Sequence, residues 1–177
     1  MVLTRLGEIQ GLSGLLAARY CDRVWLTDKD PQVLDTLQRS VQLNTDVQDK
    51  VKVEKLVWGT DTRDELPRFD VVIASDTLYY LTAVEQLWKS VDSLLSRERC
   101  ADGSPPLFIL AHVNREKVID SELHKVAQGL GFVAQVVPIF TLCARSEPVP
   151  SNEHVKKEML RLFVFTRAQH VGRGGRT

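Results

Sequence analysis

The residues best suited to chemistry in this sequence are Asp76-Thr77-Leu78-Tyr79-Tyr80, directly after the apolar run Val71-Val72-Ile73-Ala74. A carboxylate beside two phenols at the mouth of a strand can hold a cationic amine. The Asp attracts the charge, and an aromatic face adds about 0.5–2 kcal/mol of cation–π attraction. The same residues also suit a plain turn carrying two half-buried tyrosines. A second candidate is the loop from Gly7 through Gly11 to Gly14, which runs into Leu15-Leu16-Ala17-Ala18-Arg19. Small residues at a helix start let a backbone come close to a ligand and offer it free N–H groups. They equally let a helix start pack tightly on a strand. The third is Asp28, 17 positions after Gly11, near the spacing of roughly 20 found for ribose-binding acids. A carboxylate there can accept hydrogen bonds from both ribose hydroxyls. Its other role would be to cap the next helix, which Asp30 is better placed to do. Trp58, in Leu56-Val57-Trp58-Gly59, is by its type either a core residue or a surface for an adenine.

Other groups carry less. His112 and Arg115 end the run Leu107-Phe108-Ile109-Leu110-Ala111, where either can line a cleft or sit satisfied in a loop. His124, His154 and His170 have no ligand spacing, so no metal is expected. The three cysteines, Cys21, Cys100 and Cys143, form no CxxC pair. Neither a disulfide framework nor a zinc knuckle is indicated, and the expectation is a reducing compartment, the cytoplasm with the nucleus as a second location. Cys21 and Cys143 lack a sequence-local base and read as inert. The 23 Lys and Arg are balanced by 23 Asp and Glu. That neutrality excludes a binder held to nucleic acid mainly by phosphate contacts. Lys156-Lys157 reads as a solvated face, and the two arginines of the Gly-rich tail are too few to change this. No stretch approaches about 18 consecutive apolar residues, and Met1 to Glu8 lacks the layout of a signal peptide.

These residues need elements to position them, and the sequence supplies an alternation of strands and helices. Arg23–Thr27 is a short β-rich run. Residues 31–44 follow with apolar positions 33, 34, 37, 41 and 43 on one helical face, Asp30 as the cap, Pro31 first and Asn44 as terminator. Val51–Val57 alternates as a strand does. Phe69–Ala74 is a continuous run, expected of a strand buried on both faces. Residues 84–95 have helical spacing, 107–111 make another buried strand, and 115–130 make a helix closed by Gly129 and Gly131. Residues 132–140 and 159–166 are two late strands around a polar loop at 144–157. The expectation is one α/β domain over 1–168 with a mainly parallel sheet and an antiparallel C-terminal hairpin, followed by a disordered tail at 169–177.

Five segments, in order, resemble a known family: residues 11–19 (GLSGLLAAR), 24–28 (VWLTD), 33–44 (VLDTLQRSVQLN), 56–59 (LVWG) and 69–80 (FDVVIASDTLYY). They look like the family-16, seven-β-strand methyltransferases that use S-adenosylmethionine and methylate mostly protein lysines. The resemblance covers about residues 7–115 closely and the two late strands loosely. It implies a Rossmann-like, seven-stranded class I sheet. It also implies that Gly7 and Gly11 face the methionine end of the cofactor, that Asp28 binds ribose and that Trp58 flanks the adenine. Ser75 is counted with the cofactor-binding residues. Asp76 and Tyr79 match the family's Asp-x-x-Tyr motif, set near the target amine. The implied partner is a protein substrate, with no nucleic acid, membrane or metal partner, and the chain is expected to be a monomer.

The sequence departs from the family in one place. The family's first motif reads roughly Glu-Leu-Gly-x-Gly-x-Gly, whereas here Arg5 stands for the acid and Ile9 for the middle glycine. A branched side chain at that point would obstruct the cofactor or force another loop conformation. Several dozen residues that precede the motif in family members have no counterpart here. The expectation is therefore an incomplete N-terminal part, with family-like sequence starting near Gln10 or Gly11. A lysine methyltransferase is the leading reading. The alternatives are a catalytically impaired form acting as a protein-binding module, and methylation of a different target.

Overall fold

The computed structural model of the 177-residue chain describes residues 1–6, 11–60, 66–113, 117–138 and 160–168. Strand β1 (Val2–Leu6) leads to helix α1 (Leu12–Ala17), strand β2 (Arg23–Asp28), helix α2 (Pro31–Leu43) and strand β3 (Val51–Lys55). Strand β4 (Val71–Ser75), helix α3 (Thr82–Leu94), strand β5 (Leu107–Val113), helix α4 (Lys117–Gly129), strand β6 (Phe132–Val136) and strand β7 (Leu160–Arg167) complete the order. The seven strands form one sheet in the order β3-β2-β1-β4-β5-β7-β6. All pairs from β3 to β5 are parallel, while β7 is antiparallel to both β5 and β6. The expected alternation, parallel sheet and antiparallel end are all present.

Local chemistry sets the helix limits. Asp30 caps α2 by accepting from the Gln32 N–H at 2.8 Å, with Pro31 at the first helical position. Asn44 closes the same helix, its side-chain amide donating to the Ser40 carbonyl at 2.8 Å. Strand β1 is the element that sequence reading did not assign. It lies between β2 and β4, with Leu6 opposite both Thr27 and Ala74. Phe69 stands just outside β4, in an isolated bridge to Leu95.

The two faces of the sheet bury different side chains. Against α1 and α2 the described core is aliphatic, built from Leu15, Val24, Leu26, Leu37, Val41 and Val51. Against α3 and α4 it is aromatic and centred on Trp88. The Trp88 ring meets Phe108 and Phe165 edge-on at 5.3 and 4.9 Å and lies 5.0 Å from Phe132. Its indole N–H donates to the Leu123 carbonyl at 3.1 Å, so the polar handle of a fully buried ring is satisfied. No helix among the described residues is long and apolar enough to cross a membrane.

Candidate functional site

Parallel pairing from β3 to β5 brings the carboxyl ends of five strands to one rim. The chain runs outward from β1 through β2 to β3, then returns to the other side of β1 as β4. The β1–β4 junction is therefore the topological switch point where open α/β sheets bind ligands. The register there is specific. Ala74, Leu6, Thr27 and Glu54 lie on one level, and Ser75 and Asp28 one residue further along. With β1 between their strands, Asp28 and Ser75 are roughly 10 Å apart at about 4.8 Å per strand. Two candidates found by sequence, Asp28 and Ser75, thus end neighbouring strands of this rim; Asp76 and Tyr79 follow on the β4 turn, Trp58 follows β3 and Gly11 opens α1.

Each is held by its own means. Gly11 has φ +69° at the start of α1, in the left-handed region. A Cβ there would lie 2.8 Å from Leu37 Cδ2 and 3.3 Å from Leu26 Cδ1. Its glycine identity is accounted for by backbone sign and by close packing of α1 onto β2 and α2. Asp28, half-buried at the end of β2, accepts the Asp30 N–H on Oδ1 at 2.9 Å. Its other oxygen, Oδ2, takes no hydrogen bond among the described residues. Its backbone carbonyl accepts the Leu56 N–H at 2.9 Å, which ties the end of β2 to the segment carrying Trp58. Trp58 is half-buried and packs on the aromatic core. The turn behind it is fixed by Gly59, at φ +81°, whose N–H donates to the Ser90 hydroxyl at 2.9 Å. Ser90 is fully buried on α3, and its support of the Trp58 turn was not legible at 31 residues' separation.

The Asp76 turn has an unusual backbone. Asp76 has φ +47°, the one described non-glycine residue with a positive φ. Such a backbone costs about 1–2 kcal/mol for an ordinary side chain, and persists where the surroundings over-determine it. Here its N–H donates to the Ala111 carbonyl at 2.8 Å, one step past the end of the β4–β5 ladder. Its Oδ2 accepts from the Tyr79 hydroxyl at 3.1 Å. Leu78 is buried in the core and anchors the turn from below, whereas Tyr79 and Tyr80 are 52% and 74% exposed. The tyrosines are thus more open than the half-buried pair of a plain turn. A carboxylate with its phenol partner faces solvent on a fixed backbone, an arrangement that can receive an amine.

His112 departs from expectation. It lies within β5, 3% exposed, and does not line the cleft. Phe108, Leu110 and His112 alternate onto the same buried face. Burial pushes its imidazole below the usual histidine range, against the pull of Asp120, whose Oδ1 lies 2.8 Å from Nε2. Cys21 is buried, and burial raises its thiol pKa, which agrees with an inert role. Gly7, Ile9, Arg115, Cys143, His154, His170, Lys156-Lys157 and the tail lie outside the described residues. No group of three metal-ligating side chains occurs among the described residues. A groove of about 380 Å³ runs between α1 and α2, lined by Leu12, Leu16, Arg19, Ser40 and Leu43, and includes none of the rim residues above.

Comparison with known proteins bears on the fold and the family. The chain is 28% identical over 102 residues to a calmodulin-lysine N-methyltransferase of Arabidopsis thaliana, covering 55% of this chain and 34% of that protein. It is 34% identical over 90 residues to the histone-arginine methyltransferase METTL23 of Xenopus laevis, covering 49% and 38%. The matched parts thus span little more than a third of these relatives. Among solved structures, precorrin-6y C5,15-methyltransferase from Geobacter metallireducens superposes with a TM-score of 0.65 at 14% identity, over 94% of this chain and 81% of that one. The magnesium protoporphyrin IX methyltransferase of Synechocystis, solved with bound SAM, gives 0.63 at 15% identity, over 94% and 69%. The fold is that of the class I methyltransferases. The family described as lysine methyltransferase matches residues 2–126, from the start of β1 into α4, and so begins ahead of the Gln10 or Gly11 start expected from the sequence. The chain belongs to that lysine methyltransferase family.

Proposed function

We propose that this chain transfers a methyl group from S-adenosylmethionine to the side-chain amine of a lysine on a protein. The observation that carries the reading is the Asp76–Tyr79 pair, held on a left-handed turn beside the switch-point crevice of a lysine methyltransferase family fold. The crevice fits the cofactor. Asp28 offers an oxygen without a partner among the described residues, and Trp58 presents a half-buried ring on a pinned turn. Gly7 and Gly11 would border the methionine end, Asp28 would accept from the ribose hydroxyls, Trp58 would flank the adenine and Ser75 would close the pocket. When bound, the cofactor supplies an electrophilic methyl on a sulfonium. Asp76 and the exposed tyrosine face attract the lysine amine and aim its lone pair along the line of displacement. Such a reaction asks for positioning more than for a strong acid or base. The positive sulfonium beside the amine favours its neutral, nucleophilic form.

A second reading, transfer to arginine, is favoured by the likeness to the histone-arginine enzyme. A third, a form that binds a protein partner without catalysis, is separated by calorimetry with S-adenosylmethionine. A micromolar Kd is expected, and no heat at millimolar ligand would overturn the enzymatic reading. Labelled cofactor with cell extract, followed by mass spectrometry of the modified residue, separates lysine from arginine. We further propose a location in the cytoplasm or nucleus, a reading supported by cysteines without paired spacing, and a monomeric chain. Cell fractionation and sedimentation test these.

A further inference from the structure

The methyl-transfer chemistry leaves one buried titratable group unused. His112 sits in β5 directly after Ala111, whose carbonyl holds the Asp76 N–H at 2.8 Å. Its ring is clamped from two elements. Nε2 lies 2.8 Å from Asp120 Oδ1 in the first turn of α4, and the ring stacks on Phe163 of β7 at 5.9 Å. Nδ1 is buried with no hydrogen-bond partner among the described residues, and the Nε2–Asp120 contact is close without the angles of a hydrogen bond. A buried acceptor left unmade costs about 1–3 kcal/mol, so the site would gain stability from an apolar residue unless the imidazole serves another end.

We propose that His112 is a positioning residue for methyl transfer, fixing the end of β5 so that the Ala111 carbonyl holds Asp76 in its left-handed conformation. The inference rests on the reading of Asp76 as the group that orients the amine. The chain of contacts is short: α4 holds His112 through Asp120, His112 fixes the strand end, and the strand end fixes the Asp76 amide. The charged groups acting on the imidazole come from three elements: Asp120 on α4, Arg161 on β7 and Asp76 after β4. His124 of α4 packs on the same Phe163 ring, 5.0 Å away. Burial disfavours the imidazolium. When the ring does gain a proton in acid, a buried cation with an extra N–H must be accommodated at this junction, and the Asp76 turn loosens first.

The test is NMR of the Asp76 backbone amide across a pH titration, with steady-state kinetics, on the full chain and on His112→Gln, His112→Leu and Asp120→Asn. Besides the step of its own carboxyl, the wild-type Asp76 amide resonance is expected to show a second step that coincides with the His112 ring resonances and lies below the ordinary histidine value. That second step should vanish in His112→Gln, which keeps a donor toward Asp120 but cannot titrate. His112→Leu should lower kcat at least tenfold while KM for S-adenosylmethionine stays within threefold, and His112→Gln should recover most of the kcat. An Asp76 amide that shows no step coinciding with the His112 ring in the wild type overturns the proposal. So does a His112→Leu variant whose kcat and cofactor KM fall together or not at all. Should His112→Leu fail to fold, the His112→Gln titration decides alone. Should no methyl transfer occur, the amide titration still decides the coupling, and the enzymatic reading fails separately.

Discussion

Gly11, at the start of α1, is placed by packing, whereas Asp76, directly after β4, is placed by a hydrogen bond and a left-handed backbone. Gly11 sits where it does because Leu26 and Leu37 leave no room for a Cβ. Asp76 sits where it does because Ala111 and Leu78 hold a conformation it would otherwise leave. The division matches the proposed chemistry. The packed start of α1 gives the proposed cofactor a rigid border, and the Asp76 turn gives the proposed amine a fixed polar group. Trp58 joins the two, since it follows β3 while the N–H of its neighbour Gly59 is held by Ser90 of α3.

Substitutions can break or sharpen this contrast. The largest effect is expected from Trp88→Ala, which should cost about 3–5 kcal/mol, read by chemical denaturation, because three phenylalanine rings lose their common centre. Next, Asp76→Asn keeps a residue type that tolerates positive φ. It should lower methyl transfer on the order of 100-fold, about 2.7 kcal/mol of barrier, with cofactor affinity and stability near wild type. Equal loss of cofactor binding would erase the division between the two positions. Gly11→Ala should destabilise by about 2 kcal/mol through left-handed strain and contact with Leu37, and should weaken cofactor binding as the seat shifts. Asp28→Ala should leave thermal stability nearly unchanged yet weaken S-adenosylmethionine at least tenfold by calorimetry, about 1.4 kcal/mol. The smallest effect concerns acid. Because His112 titrates below its unfolded value, the unfolded chain binds more protons once the pH falls below about 6.5. Stability should therefore decline from there toward the folded pKa and then level off. His112→Gln should flatten that part of a stability-versus-pH curve.

What could be read from the sequence follows physical range. Helix α2 was legible to within a residue because its signals, Asp30, Pro31 and Asn44, act on their own neighbours. Strand β4 was legible because Val71 to Ala74 has no polar residue to interrupt it. Strand β1 was not. Val2-Leu3-Thr4-Arg5-Leu6 is short and mixed, and it becomes a strand through ladders to β2 and to β4, almost 70 positions away. In the site, Asp28 and the Asp76–Tyr79 pair announced themselves by type and spacing. The supports did not, since Ser90 and Asp120 act across elements. His112 could have been placed inside by extending the alternation of Phe108 and Leu110 one step further.

The position of β1 also bears on how the molecule assembles. Among the described strands, its five residues alone join the β3-β2 pair to the β4-β5-β7-β6 group within the sheet. Until β1 docks, β2 and β4 each display a row of unpaired amides and carbonyls, a template on which a second chain can add. Closure must also wait for β4, so the pairing is long-range in sequence and slow to form. Changes at Thr4 or Arg5 would therefore be felt first as aggregation during synthesis, before any loss in the finished protein.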